Sequence, residues 1–523
     1  MSLSEKYMGS VLAAVTIAIV LALAKKKRTS RRLPYPPGPK GYPIIGNLLD
    51  LPGNPIWEGL ARMNQEYNTD ILHLDLMGGH MVVLSNSDLA VDLMVRRSLV
   101  YADRIRIRMG CSWAFSLMSY GSAWRIHRKL FHRFFSVAIK DRFDDKMCDA
   151  VNVFIHRLSE SPEKFLKHAH FLAGSLALSV AYGLNIESEN DKVYSLSEDA
   201  MNAVDIAMVP GRFLVDFFPI LKHVPEWFPG AGFKKFARMA KEDLDDSINL
   251  PFLGVKDTFQ ADATTTTSVV ATCLEELPDL SREGVDEEVV RNVGGIVFLG
   301  NSSPICELQQ NYTQQSWRTA SSIKSFFLAV TLHPNVVHLA QKELDEVVGG
   351  DRSPDFSDKS QLPYISAIVK EVLRWRPPAP LAPTRRVMED DVYKGLFIPT
   401  GTVVVGNIWA MFRDESVYPD AHVFNPGRFI KDGHIDPNVK DPQEIVFGWG
   451  RRICPGRHFV LRVLWLTIAR VLATFDISKC LDEDGNPITP NGKYTSGGIT
   501  HPLPFRSDIK PRSPYTLSPT TGH

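Results

Sequence analysis

The stretch FGWGRRICPGRHF, Phe447 to Phe459, decides how the chain is read. It sets one cysteine, Cys454, among Gly448, Gly450 and Gly456, with Arg452 two positions before it. Glycine lets a backbone come close to a large flat ligand. The loop leads into an apolar segment of helical character, Phe459 to Phe475. Backbone N–H groups of such a loop, with the N-terminus of the next helix, stabilise a thiolate. Arg452 can neutralise a carboxylate of the same ligand. A lone cysteine is ordinarily a small buried hydrophobe. The glycines and arginines around Cys454 point instead to a ligating thiolate.

The other cysteines, at positions 111, 148, 273, 306 and 480, lie far apart. There is no CxxC and no close Cys/His cluster, so neither zinc nor a disulfide framework is indicated. They read as reduced thiols facing the cytosol. No GxxxxGK[ST] phosphate loop and no GxSxG elbow occurs, which sets aside P-loop and α/β-hydrolase chemistry. No flavin or nicotinamide fingerprint is present, so redox work would need electrons from outside. Lys+Arg and Asp+Glu both number 59, which gives no sign of a nucleic-acid partner.

The 523 residues are 44% hydrophobic and 23% charged, ordinary globular values. Helical periodicity dominates: Asp88–Ser98, Gly121–Phe135, Lys140–Ser159, Phe165–Tyr182, Glu198–Met208, Lys234–Ser247, Asp286–Leu299, Ala320–Thr331, Pro334–Val348 and Tyr364–Arg374. Strand-like stretches are short: Ile71–Leu76, Met81–Leu84, Thr384–Val387, Gly395–Ile398 and Thr402–Val405. The pattern predicts a mainly α fold with small peripheral β-sheets, and its lack of βαβ alternation argues against a doubly wound nucleotide fold.

The N-terminus is a separate unit. Tyr7 to Ala24 carries no charge, and Lys25-Lys26-Lys27-Arg28 follow at once. Eighteen such residues just cross a bilayer core as a helix. Basic residues after the apolar run, rather than before it, predict a signal-anchor with the rest of the chain in the cytosol. The predicted organisation is a lumenal N-terminus (1–6), a transmembrane anchor (7–24) and a basic, Pro/Gly-rich hinge (25–55). A single folded unit (56–505) and a flexible Ser/Pro/Thr-rich tail (506–523) follow.

The loop resembles the haem-binding segment of the cytochrome P450 family, FxxGxRxCxG, at Phe447, Gly450, Arg452, Cys454 and Gly456. Glu371 and Arg374 in KEVLRW match the family's ExxR, and Arg428 in FNPGRF matches the arginine that completes that triad. Trp124 and Arg128 in GSAWRIHRKL match its WxxxR. The resemblance covers essentially the whole chain, and its texture is similar to microsomal, fungal secondary-metabolism and xenobiotic-type members. It implies a cytochrome P450 fold with haem b. Cys454 would be the axial iron ligand, and an axial thiolate favours O–O cleavage. Trp124, Arg128, Arg452 and Arg385 (or its neighbour Arg386) would hold the propionates. Glu371, Arg374 and Arg428 would form a structural triad.

The implied reaction is insertion of one oxygen atom of O2 into a lipophilic small molecule such as a terpenoid, steroid, polyketide or aromatic. Substrate would be met by Met109–Met118, Arg212–Pro219, Pro378–Pro383 and Ser496–Ile499. Electrons would come from NADPH through NADPH–cytochrome P450 reductase, with cytochrome b5 as a second donor, at the endoplasmic reticulum membrane. Arg125, Arg128, Lys129 and Arg133 form a basic face suited to such an acidic partner.

One stretch departs from the family. Its central helix carries [AG]-G-x-[DE]-T, whose acid and alcohol deliver protons to bound dioxygen. Here the match from the left ends at Gly300 and the match from the right resumes at Thr319. Between them Asn301 to Arg318 is polar and holds Pro304, two features foreign to a buried helix. The stretch carries sequons at Asn301 and Asn311, expected to be unused on the cytosolic side. We read it as a retained intron or a mis-set exon junction. If it is genuine, Ser302, Ser303 or Thr319 with water would replace the relay. An alternative class is then a haem-thiolate isomerase or dehydratase, or a relative that binds haem without turnover.

Overall fold

The computed structural model describes residues 33–104, 113–197, 200, 223–227, 231–261, 267–299 and 318–512. The anchor 7–24, the segment Arg212–Pro219, residues Ser302 and Ser303 and the sequons lie outside the described residues. So does the final part of the tail, 513–523. No helix among the described residues is long and apolar enough to cross a membrane.

The helices that position the site are α1 (Ile56–Glu66), α2 (Ser122–Phe135), α3 (Asp144–Glu160), α4 (Phe165–Tyr182), α5 (Gly232–Gln260), α6 (Glu287–Leu299), α7 (Arg318–Leu332), α8 (Pro334–Val347), α9 (Pro363–Trp375) and α10 (Arg457–Thr474). The last of these is largely apolar, and Arg462 to Thr474 is buried throughout, with Arg462 paired to Asp144. A helix buried all round belongs at the centre, and α3, α7, α8 and α9 all pack on it. Helix α4 is buried likewise and packs against α3, α6 and α7. The two halves of the interrupted helix, α6 and α7, thus share the α4 surface.

A four-stranded sheet lies beside this body in the order β1-β2-β6-β3. β1 (Ile71–Leu76) and β2 (Gly79–Leu84) form a hairpin. Its turn residues Met77 and Gly78 both have positive φ, 56° and 86°, as a tight two-residue hairpin requires. β2 runs parallel to β6 (Val403–Gly406), and β6 pairs antiparallel with β3 (Arg385–Arg386). The remaining pairs are β4 (Asp391–Tyr393) with β5 (Leu396–Ile398), β7 (Ile430–Lys431) with β8 (His434–Ile435), and β9 (Phe475–Ser478) with β10 (Asp508–Pro511).

Several sequence expectations are corrected. Helix α5 does not stop at Ser247 but passes Pro251 and ends at Gln260. Leu244, Ile248, Phe252 and Val255 bury one stripe of it, and it packs against α6. That burial outweighs the proline's local cost. Asp88–Ser98 is not one α-helix but a turn, Ser87–Val91, running into the wider coil Asp92–Arg96. The tail does not begin at 506, because β10 pairs with β9 and the Arg512 N–H donates to the Thr474 carbonyl at 2.8 Å. The described part of the Pro/Gly-rich hinge is docked on the folded unit. Phe397 and His73 N–H groups donate to the Pro34 and Pro37 carbonyls at 2.7 and 2.8 Å, tying it to the sheet.

Candidate functional site

The cysteine loop is closed by its own backbone. The Cys454 N–H donates to the Phe447 carbonyl at 2.9 Å, and the Ile453 N–H to Gly450 at 3.0 Å. Gly450 has φ 56°, and a Cβ there would lie 2.1 Å from the Met94 carbonyl oxygen. No side chain fits at that position. Arg128, half-buried on α2, donates to the Ile453 carbonyl at 2.7 Å and ties that helix to the loop. Half-buried Cys454 faces a cavity of about 270 Å³. Gly448 and Gly456 line it too, and a Cβ added at either would meet nothing within 4 Å. Beside the thiol, two side chains are thus missing where a flat ligand needs room.

The cavity wall is apolar but studded with guanidinium groups. Trp113, Phe115, Ile296, Val297, Leu373 and Ala379 line it together with Arg104, Arg128, Arg318, Arg385 and Arg452. Arg452 donates to the carbonyls of Ala102, Phe115 and Met118 at 2.8, 3.2 and 2.7 Å and lies 4.5 Å over the Trp124 ring. Arg104 donates to Ser116, Pro383 and Thr384 carbonyls. Arg385 donates to the carbonyls of Tyr101 and Trp449. Burial lowers the pKa of Arg385 to about 9, helped by the charge of Arg452. Burial likewise holds Arg128 and Arg452 at about 10. Arg128, Arg385 and Arg452 stay charged at neutral pH, and no Asp or Glu among the described residues lines the cavity. The site is therefore built for an anion with a broad apolar body.

Sequence pattern reached most of these side chains. Of the pair Arg385 and Arg386, the strand's period of two puts only Arg385 inside, whereas Arg386 is exposed and lies 3.8 Å from Asp103. Pro378–Pro383 contributes Pro378, Ala379, Ala382 and Pro383, and Met109–Met118 contributes Trp113 to Leu117. Ser496–Ile499 does not reach the cavity. Arg104 was not foreseen: beside Asp103 it reads as half of a surface pair, and no local signal separates it from the arginines that follow. The basic face on α2 is not continuous. Lys129 is paired with Glu283 at 2.9 Å, Arg133 with Glu276 at 2.6 Å, and Arg128 turns inward. Arg125 remains exposed.

Away from the cavity, Glu371, Arg374 and Arg428 meet as predicted. Arg374 donates from Nε and Nη2 to the two oxygens of Glu371 at 2.7 and 2.8 Å, and Arg428 donates to the same carboxylate at 3.2 Å. The remaining donors of Arg374 go to the carbonyls of Phe412, Ala421 and Val423. All five of its N–H groups are satisfied.

Comparison with known proteins decides what this arrangement belongs to. The sequence profile of the family described as Cytochrome P450 matches residues 36–301 and 318–506. The chain belongs to the cytochrome P450 family. A cytochrome P450 monooxygenase of Armillaria gallica is 37% identical over 516 residues, 97% of this chain and 98% of that one. The tryptamine 4-monooxygenase of Psilocybe cyanescens is 33% identical, over 96% and 97%. Among solved structures, a zebra fish cytochrome P450 with progesterone aligns with a TM-score of 0.69 at 19% identity. It covers 87% of this chain and 99% of that one, and it shows the shared fold.

The enzyme class is therefore the monooxygenase class, and the cofactor is haem b with electrons from NADPH through a reductase. The residues present fit that group. A thiol, two open glycine faces and a ring of carbonyl-bonded arginines suit a flat macrocycle carrying two carboxylates. The profile match is split at the foreign stretch, resuming at Arg318. Thr319 is buried in α7 but does not line the cavity; Arg318 and Ser322 do. The one described candidate for the proton relay is thus turned away from the site.

Proposed function

We propose that this chain is a haem-thiolate monooxygenase of the endoplasmic reticulum membrane that oxidises a lipophilic small molecule in fungal secondary metabolism or xenobiotic breakdown. Cys454 would be the residue that holds the haem iron. Arg104, Arg128, Arg385 and Arg452, with Trp124, hold the propionates, and Gly448 and Gly456 leave room for the ring. Bound haem supplies the activation of dioxygen that puts one oxygen atom into a C–H bond. The apolar walls around Ile296, Val297, Leu373 and Ala379 exclude water and hold a hydrocarbon body. NADPH–cytochrome P450 reductase is the electron donor and cytochrome b5 a second one. Residues 7–24 anchor the chain, with the folded unit on the cytosolic side.

The observation that carries this reading is the cavity shared by Cys454 and five arginines with no acid among its described lining. The test is expression with haem and a reductase. The reduced, CO-bound chain should show the thiolate-type absorption band, and a lipophilic substrate panel should give NADPH-dependent hydroxylated products. A second reading, an isomerase or dehydratase of the same cofactor, is favoured by one observation. The α7 edge presents Arg318 and Ser322 where an acid–Thr pair is expected. Product formed without NADPH would select it.

A further inference from the structure

We propose that Trp113 is a substrate-binding residue and that the pocket takes lipophilic carbonyl compounds, whose oxygen accepts from the Trp113 indole N–H. The inference rests on the haem-thiolate reading and narrows its substrate class.

Most polar side chains of the described cavity wall are already engaged. Arg104, Arg128, Arg385 and Arg452 donate to backbone carbonyls, and the Ser322 hydroxyl donates to the Arg318 carbonyl at 3.3 Å. Two indoles differ. Trp113 and Trp449 both line the cavity, both are buried, and the N–H of each donates to nothing. A buried donor left without an acceptor is costly.

Position separates the two. Trp449 belongs to the cysteine loop and packs on β6, where a Cβ at Gly406 would lie 2.8 Å from its ring. Trp113 rests on the helices instead. A Cβ at Gly295 would lie 3.0 and 3.3 Å from two carbons of its six-membered ring and 2.8 Å from the Ile248 side chain. The missing side chain at 295 thus seats the indole against α6, beside α5. Ile296 of α6 and Leu244 of α5 line the same cavity. Trp113 therefore brings one neutral donor to the wall that receives the hydrocarbon body of a substrate. Indole donates and has no acceptor. A carbonyl oxygen accepts and has no donor. Pairing the two leaves no polar hydrogen unmatched in an apolar wall, whereas a pure hydrocarbon leaves the N–H unmet. A site with a donor of this kind discriminates against the analogue that lacks the acceptor.

The test uses the full chain loaded with haem b and two probes of nearly equal size, benzophenone and diphenylmethane. Dissociation constants come from equilibrium dialysis with labelled probe. The quantity read is the ratio of ketone to hydrocarbon affinity, compared between wild type and variant so that the hydration of the probes cancels. Trp113→Phe keeps an aromatic ring and deletes the N–H. It should weaken benzophenone by about three- to tenfold, the loss of one neutral hydrogen bond, and leave diphenylmethane unchanged. In the wild type, infrared difference spectra should show the carbonyl stretch of bound benzophenone lowered by hydrogen bonding. An unshifted stretch overturns the assignment without recourse to any variant. An unchanged ratio in Trp113→Phe overturns it too, since the ring would then act through shape alone. So does a fall in haem content in that variant, because the indole would then serve the cofactor. Dialysis reads both probes whether or not haem is taken up. Absence of haem uptake by the wild type would refute the haem-thiolate reading, whereas an unchanged ratio refutes only the role of Trp113.

Discussion

Two arginine-rich regions lie within one fold and differ in a single respect. Around Glu371 the charges are closed: one carboxylate accepts from Arg374 and Arg428, and carbonyls take the remaining Arg374 donors. Around the cavity the charges are open: Arg104, Arg128, Arg385 and Arg452 donate to backbone carbonyls among apolar walls, with no acid among the described lining. The closed cluster needs nothing further and holds α9 to the Pro419–Arg428 segment. The open cluster is complete only with an anionic ligand. A buried ion network that satisfies itself is architecture, and one that does not is a binding site.

The largest expected effect lies beside the open cluster. Cys454→Ala should abolish the thiolate-type band of the reduced CO complex and all oxygenation, with the far-ultraviolet circular dichroism unchanged. Next comes Glu371→Gln, which leaves two buried guanidinium groups without their counter-charge. It should cost about 3–5 kcal/mol of stability in denaturant unfolding, with or without haem. Arg385→Gln should do the opposite. Haem affinity should fall by about tenfold, as for loss of one charged hydrogen bond, while the haem-free protein unfolds as before. If Arg385→Gln destabilised the haem-free protein as strongly as Glu371→Gln, the distinction between the two clusters would be lost.

A smaller effect belongs to the docked hinge. His73 is held down to a pKa of about 4, by burial first and then by the neighbouring His80 charge. Its folded-state pKa lies below the ordinary value of 6.5, so the unfolded chain binds the extra proton. This contribution is whole above about pH 6.5 and is lost as pH falls toward 4. Thermal unfolding across that window should show the slope, and His73→Phe should flatten it. Least affected should be Arg386→Ala, an exposed position worth under about 0.5 kcal/mol. Transcript sequencing addresses the interruption itself. A message that encodes an uninterrupted acid–Thr motif in place of residues 301–318 would mark the stretch as intron or junction error. Abundant message containing it would make the stretch part of the working enzyme.

The chemistry-bearing loop was legible in the sequence because Cys454, its glycines and Arg452 are neighbours in the chain and their roles are local. Glu371 and Arg374 were legible because three residues make nearly one helical turn. The break in the central helix was legible too, since polarity and Pro304 contradict a buried helix whatever surrounds it, and the family profile skips 302–317. Arg104 and Arg318 were not. Each looks like an ordinary surface arginine until Pro383, Ser116 and α7 are placed around it. The passage of α5 through Pro251 and the β9–β10 pairing were hidden for the same reason. Sequence by itself determined the helical class, the family and the thiolate loop, because these rest on periodicity and near-neighbour spacing. Only the tertiary structure decided which arginines are inside, and that Arg385 faces the cavity and Arg386 does not. Those outcomes depend on contacts between residues hundreds of positions apart, and no local pattern encodes them.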